Sequence, residues 1–260
     1  MGDDSGENTY LFGTEERRRL ELLEECLDPI TARSLDAIGV EAGWRCLEVG
    51  GGGGSVTRML CDRVGPAGRV TAVDLDTRFL EELGEGNLEV CRRDVVADGL
   101  PGDAYDLIHA RLLLMHLPTR EKFLEEMAAA LRPGGWLLVE DMDVFPFQTL
   151  AEGVFAQVWD AVNRGLEAAQ ADPRFARHLP ELFDRAGLEE IEPVCQMPVA
   201  RGDSTFARLI MASVAQVSPL LATSGVTDAQ MAGLGRELAD PTRWFTGFAV
   251  YSVRGRAPAA

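Results

Sequence analysis

The stretch Cys46-Leu47-Glu48-Val49-Gly50-Gly51-Gly52-Gly53-Gly54-Ser55 decides the fold. A hydrophobic strand ends with an acid and runs into five consecutive glycines. Each glycine costs backbone entropy on folding, so five in a row mark a place where the backbone turns tightly and something presses against it. The next segment, Ser55 to Val64, carries apolar residues at Val56, Met59, Leu60 and Val64, which is helical spacing. Strand, glycine loop and helix together open a nucleotide-binding βαβ unit.

The choice of nucleotide turns on Glu48. A dinucleotide site asks for G-x-G-x-x-G, and counting from Gly50 the third glycine position falls on Ser55. The better phrasing is Glu48-x-Gly50-x-Gly52-x-Gly54, with an acid two residues before the first glycine. That acid repels a pyrophosphate and attracts a ligand that carries an ammonium and a sulfonium. Here the sequence resembles motif I of the class I methyltransferases, which bind S-adenosylmethionine (SAM).

More of the same pattern follows. Arg69 to Asp76 reads as a second buried strand ending in acids, and Asp74 lies 20 residues after Gly54, where a ribose-binding carboxylate belongs. Its two oxygens suit a diol that donates two hydrogen bonds. Asp76 reads as the cap of a following helix. A third strand, Leu88 to Arg92, leads to Asp94-Val95; in the resembled family an acid here accepts from the adenine amine and the next N–H contacts the ring. The fourth strand, Tyr105 to His109, runs into Ala110-Arg111-Leu112-Leu113-Leu114-Met115-His116-Leu117. A helix from Thr119 to Leu131 stops at Arg132-Pro133-Gly134-Gly135, and Trp136 to Asp141 is apolar without alternation, as a central strand covered on both faces should be.

The resemblance therefore runs continuously from about Arg45 to Asp141. It implies an α/β fold: a seven-stranded, mostly parallel Rossmann-like sheet of order 3-2-1-4-5-7-6 with the last strand antiparallel. It implies SAM as cofactor, held by Glu48, Gly50, Gly52, Gly54, Asp74, Leu75, Asp94, Val95, Ala110 and Arg111. The expected division is an N-terminal helical lid over residues 1–40 and a SAM-binding domain over 41–260, with helical insertions near 148–172 and 203–240.

Around this core, two N-terminal helices are expected, Thr14 to Leu27 and a second one that Asp28-Pro29 starts. Tyr10-Leu11-Phe12 is an apolar cluster ahead of them. Met142 to Gln148 reads as a loop. Ala151 to Ala171, Phe206 to Leu221 and Val226 to Leu238 read as helices, Leu188 to Met197 as a sixth strand and Trp244 to Val253 as the last. The insertions would lie over the carboxyl ends of the strands, where ligands bind in an open α/β sheet, and some of their aromatic residues would wall an apolar substrate pocket.

Composition narrows the partners. A net charge of −17 over 260 residues repels phosphate backbones and argues against nucleic acid as substrate. No apolar run reaches bilayer length, and Met1 to Asn8 is neither a signal peptide nor a basic targeting segment. Five cysteines in no metal-binding spacing read as reduced thiols of a cytoplasmic protein. The expected partner is a small molecule, with no metal site; a homodimer is compatible with the composition.

SAM supplies an activated methyl group, so a protein base is needed only for a nucleophile that arrives protonated. Of the three histidines, His116 is the candidate base. Its segment resembles that of the phosphoethanolamine methyltransferases, where a histidine at this place pairs with a tyrosine of the N-terminal lid; by that resemblance Tyr10 is its partner. The alternative for His116 is a structural role. Glu140, Asp141 and Asp143 crowd the end of the fifth strand and could orient a substrate or join His116 on a metal. The leading reading is a SAM-dependent methyltransferase acting on a small, partly apolar metabolite of secondary metabolism, antibiotic biosynthesis included, with O-methylation favoured over C- or N-methylation. A non-catalytic SAM-binding protein and an NAD(P)-dependent oxidoreductase are the alternatives; Glu48, the missing third glycine and the lack of a catalytic Tyr-x-x-x-Lys oppose the latter.

Overall fold

The structure, a computed structural model, describes residues 14–259. Tyr10 and its neighbours Leu11 and Phe12 lie outside the described residues. Five strands, β1 (Arg45–Val49), β2 (Arg69–Asp74), β3 (Leu88–Arg92), β4 (Tyr105–Arg111) and β5 (Leu131–Asp143), are followed by β6 (Glu189–Gln196), β7 (Val199–Arg201), β8 (Trp244–Thr246) and β9 (Ala249–Arg256). The main sheet has the order β3-β2-β1-β4-β5-β9-β6. β1 to β5 run parallel, and β9 lies antiparallel between β5 and β6, which is the expected topology.

The helices are α1 (Thr14–Ile38), α2 (Ser55–Val64), α3 (Arg78–Glu81), α4 (Val95–Asp98), α5 (Arg120–Ala129), α6 (Phe145–Leu150), α7 (Gly153–Ala168), α8 (Leu179–Arg185), α9 (Thr205–Gln216), α10 (Ser218–Thr223) and α11 (Asp228–Ala239). Side-chain alternation sorts them into layers. Cys46, Val70, Leu107 and Leu138 bury one sheet face beneath α2 and the second half of α1, through Val56, Leu60, Val64, Leu35 and Ile38. Leu47, Val49, Ile108, Leu137 and Val139 bury the other face against Phe123, Leu124 and Met127 of α5 and Phe183 of α8. A third apolar cluster joins α1, α6, α7, α9 and α11 into a cap.

Four expectations change. The N-terminal segment is one helix, not two, and Pro29 lies inside it. Proline removes the donor that would serve Glu25 and strains the turn. The helix continues because its far half is tied down by buried Leu35, by Thr31 and by Ser34, and because Asp28 turns to Arg111 and Ser55 instead of capping. Residues Phe145 to Gln148, read as part of a loop, belong to α6, which has a proline in its first turn. The long helices expected over Ala151–Ala171 and Phe206–Leu221 are shorter: α7 stops at Ala168, and α9 gives way to α10 before Pro219.

Trp244 to Val253 is not one strand. It breaks at Gly247, whose N–H donates to Pro198 O at 2.7 Å and whose added Cβ would lie 2.5 Å from the Phe206 ring. β8 therefore pairs with β7 in a separate antiparallel ribbon, and only β9 enters the main sheet.

Candidate active site

The glycine loop is built from backbone. Gly50 and Gly52 sit at φ +76° and +52°, a region open chiefly to glycine. Gly50 N–H donates to Val73 O at 2.8 Å, and Gly52 N–H to Asp74 Oδ2 at 2.9 Å. Asp76 N–H donates to Asp74 Oδ1 at 3.0 Å. Burial raises the Asp74 pKa while these backbone donors pull it down. An ionised carboxylate has about four acceptor positions, and Leu75 N–H is a further backbone donor to Asp74, so the carboxylate retains acceptor capacity that a ribose diol could use. Thr57 Oγ1 is fully buried near the same loop, 3.4 Å from where a Cβ on Gly51 would lie, with no hydrogen-bond partner among the described residues. The loop and these two polar groups fit an adenosyl ligand.

What presses on the loop is α1. A Cβ on Gly53 would lie 2.2 Å from Glu24 Oε1 and 3.3 Å from Leu20. Glu24 has its pKa raised by burial and by Asp28, against the N–H of Ser55. Asp28 Oδ1 accepts from Ser55 Oγ and from Arg111 Nη1, both at 2.9 Å. Two carboxylates thus reach from α1 to the N-terminus of α2, the end of a helix that favours negative charge.

Glu48 lies elsewhere than the loop mouth. It is 2% exposed and shares a sheet face with His109, its cross-strand neighbour. His109 Nδ1 and Glu48 Oε2 are 2.6 Å apart, and His109 Nε2 and Glu140 Oε2 are 3.4 Å apart. Glu140 also accepts from Thr31 of α1 and, at 2.7 Å, from Ser252 of β9. Burial opposes a charge on His109, but the two carboxylates outweigh it and push the ring up to about 9. Burial likewise opposes the charge on Glu140, yet His109, Thr31 and Ser252 hold its pKa below the usual range. The trio thus holds an imidazole that favours its proton between two acids beneath the loop. Glu48 is one of several acids around the loop, with Glu140 beneath it, Glu24 at its edge and Asp28 paired there with Arg111.

The remaining positions fall as follows. Leu75 is exposed beside Asp74. Asp94 is exposed, and its Oδ1 caps α4 by accepting from Val96 N–H at 2.9 Å and Ala97 N–H at 3.2 Å; Val95 is buried behind it. Ala110 is buried in β4, and the Arg111 guanidinium bridges Asp28, Thr31 and Ser55.

His116 closes a short 3-10 turn, Leu114–His116. The turn stands against the glycine loop, since a Cβ on Gly50 would meet Leu113 at 3.5 Å. Asp141, fully buried, holds the turn by accepting from Met115 N–H at 2.9 Å. Burial pushes Asp141 up to about 7, against the pull of the Met115 and Met142 N–H groups. Burial, with Arg19 and Arg120 nearby, lowers His116 to about 4, so its ring is neutral at pH 7.

Glu140, Asp141 and Asp143, read as acids that could orient a substrate or join His116 on a metal, all turn inward. Glu140 belongs to the His109 trio, Asp141 to the His116 turn, and Asp143 to a bidentate pair with Arg177 at 2.7 and 2.8 Å. Among the described residues no group of three or more His, Cys, Asp and Glu gathers at metal-holding distance. The sequence reading missed Glu24, Asp28, Thr31 and the joint role of Glu48, His109 and Glu140. A clue existed for the trio: three polar residues occupy positions of equal parity in strands that are otherwise apolar.

A family model described as a methyltransferase domain matches residues 13–192. The ubiquinone/menaquinone biosynthesis C-methyltransferase UbiE of Hahella chejuensis is 32% identical over 114 residues, which cover 41% of this chain and 46% of that protein; the chain thus spans under half the length of that relative. Methyltransferase str2 of Strobilurus tenacellus is 26% identical over 237 residues, 85% of both chains. Among solved structures, the YcgJ protein of Bacillus subtilis superposes with a TM-score of 0.58 at 16% identity, covering 88% of this chain and 98% of that one. A Haemonchus contortus phosphoethanolamine N-methyltransferase 2, solved with phosphomonomethylethanolamine and S-adenosylhomocysteine, superposes with a TM-score of 0.55 at 17% identity, covering 93% of this chain and 52% of that one.

Proposed function

Because the chain belongs to the methyltransferase-domain family, we propose that it transfers the methyl group of SAM to a hydroxyl oxygen of a small, partly apolar metabolite. SAM, when bound, supplies an electrophilic methyl on a sulfonium. Gly50, Gly52 and Asp74 would hold its adenosine, with Asp94 and Val95 at the base and Ala110 and Arg111 towards the methionine end. Glu24, Asp28 and the Glu48–His109–Glu140 trio would favour its positive charge.

One observation carries the reading: a neutral His116 stands on a turn that abuts the glycine loop through Leu113. A neutral imidazole accepts the proton that a hydroxyl nucleophile must lose. A base held near 4 is weak, and so suits an acidic hydroxyl, a phenol or an enol, better than an aliphatic alcohol. The apolar cap above the strand ends suits the rest of such a molecule. Tyr10 is proposed as the partner of His116 on the family resemblance alone. Acceptors of this kind belong to secondary metabolism, the setting that the arginine-rich, lysine-poor composition also suggests.

The second reading is methylation of a ring carbon next to the same hydroxyl, favoured by the C-methyltransferase named among the relatives. Both readings need the proton removed; they differ in the atom that attacks. Incubation with isotopically labelled SAM and a panel of phenols, followed by NMR of the product, separates them. A methoxy signal is expected. A ring-methyl signal establishes the second reading, and no transfer to any phenol contradicts both.

A further inference from the structure

Helix α7 buries polar atoms that the fold does not use. Asn163 is 3% and Trp159 6% exposed. Among the described residues, Asn163 Oδ1, Asn163 Nδ2 and Trp159 Nε1 have no hydrogen-bond partner. Buried amides and indoles nearly always find partners, and leaving them unpaired is costly. An apolar residue at either place would spare that cost, so the retained polarity points to a partner outside the described residues.

The two side chains are neighbours. Four residues apart on a helix, they share one face, and Phe155, four residues earlier, extends the stripe. The Phe155 and Trp159 rings lie within 9° of parallel, centroids 6.2 Å apart. This is not the flank that meets α11, which is engaged through Val154 against Gly233 and through Gln157, whose Oε1 accepts from Gln230 Nε2 at 3.0 Å. At about 100° per residue, Trp159 and Asn163 stand on the opposite flank. The apolar cluster that receives Trp159 also takes in Leu27 of α1 and Val144, with Leu112 and Met142 from the carboxyl ends of β4 and β5 at its margin. Trp159 therefore sits in an apolar cluster at the end of the sheet where ligands bind, and helical spacing sets Asn163 on the same flank.

We propose that Asn163 and Trp159 form the recognition point for the methyl acceptor, a planar apolar molecule bearing a hydroxyl, with or without a neighbouring carbonyl. Asn163 Oδ1 accepts from a hydroxyl other than the one that gives its proton to His116. Asn163 Nδ2 and Trp159 Nε1 donate to its oxygen or to the carbonyl, and the surrounding rings wall the apolar body. A site that hydrogen-bonds a hydroxyl rejects the analogue that lacks it, because its own polar groups would then stay unpaired. The inference rests on the reading of the chain as a methyltransferase of small organic acceptors.

The test uses the full chain, 2-naphthol as probe and naphthalene as the oxygen-free control, titrated in the presence of S-adenosylhomocysteine. Unaltered protein is expected to bind 2-naphthol at least about tenfold more tightly than naphthalene, and Asn163→Leu to bring the ratio close to one. Equal affinity for the two probes in unaltered protein, no affinity for either, or an unchanged ratio in the variant overturns the proposal. A second arm needs no probe: free of ligand, Asn163→Leu should melt at a higher temperature than unaltered protein, and a lower one shows that Asn163 serves the fold. Trp159→Phe should reduce the ratio in part. Uptake of S-adenosylhomocysteine, measured on the same samples, reports separately. Its absence from unaltered protein counts against the methyltransferase reading; its loss only in Asn163→Leu counts against the confinement of Asn163 to the acceptor.

Discussion

His109 makes the stability of this protein depend on pH in a definite direction. Its folded pKa of about 9 exceeds the ordinary 6.5 because Glu48 and Glu140 flank it. The contribution is complete below pH 6.5 and drains away as pH rises through 9. Buried and coupled as it is, the group accounts for about 3 kcal/mol. Urea unfolding should therefore show the protein losing stability between about pH 6 and pH 9.5; a flat or rising trend would show that the trio does not hold a proton. His116 titrates the other way. Burial keeps it neutral down to about pH 4, so the acid limb of the pH–rate profile should fall near 4, not near 6.5. His116→Ala should lower turnover by about 10²–10⁴ with SAM affinity unchanged, and equal losses in both would assign it a structural role. At this scale the sequence was legible where a position follows from strand periodicity, as at Asp74, which ends β2 beside the glycine loop. It misled at Glu48, because motif spacing places a side chain along the chain but says nothing of the partner that meets it across the sheet.

At the scale of elements, the cap depends on close backbone contact. Gly202, just after β7, would with a Cβ lie 2.0 Å from the carbonyl oxygen of Asp240. Its own N–H donates to Arg243 O at 3.0 Å, and the next N–H, of Asp203, to Leu238 O at 2.7 Å. No side chain there can move aside, so Gly202→Ala should cost about 1–3 kcal/mol or more, read as a lower urea midpoint, while S-adenosylhomocysteine affinity stays the same. Lost nucleotide binding instead would show that the cap and the glycine loop are not separate. Strands β1 to β5 and the helices between them were legible because each carries its own periodicity, although α5 ends at Ala129 and β5 takes in the Arg132 to Gly135 segment read as a stop. The continuity of α1 through Pro29 was not, because tertiary anchors at Thr31 and Ser34 override a local breaker. The split of Trp244 to Val253 was hidden for a similar reason: Gly247 marks the break only once Phe206 and Pro198 are packed against it.

Over the whole molecule, α1 is the member that joins the parts. Its first half lies on the glycine loop through Leu20 and Glu24, and its middle meets the cap through Leu23, Leu27 and Ile30. Its last turns reach the sheet through Thr31, Ser34 and Leu35. A segment that a linear reading sets apart as a lid is thus continuous with the core, and no helix among the described residues is long and apolar enough to cross a membrane. At the edge of the loop stand Glu24 and the Asp28–Arg111 pair, and beneath it the Glu48–His109–Glu140 trio, a setting that the proposed function reads as favouring a cationic adenosyl compound over a diphosphate. Calorimetric titration of the purified protein and of Asp74→Ala with S-adenosylmethionine, S-adenosylhomocysteine and NAD⁺ tests this most directly. The account predicts heat with both adenosyl compounds, none with NAD⁺, and an affinity at least about a hundredfold weaker in Asp74→Ala, since two hydrogen bonds to an ionised acceptor are lost. Uptake of NAD⁺ without either adenosyl compound, or adenosyl affinity indifferent to Asp74, would contradict it.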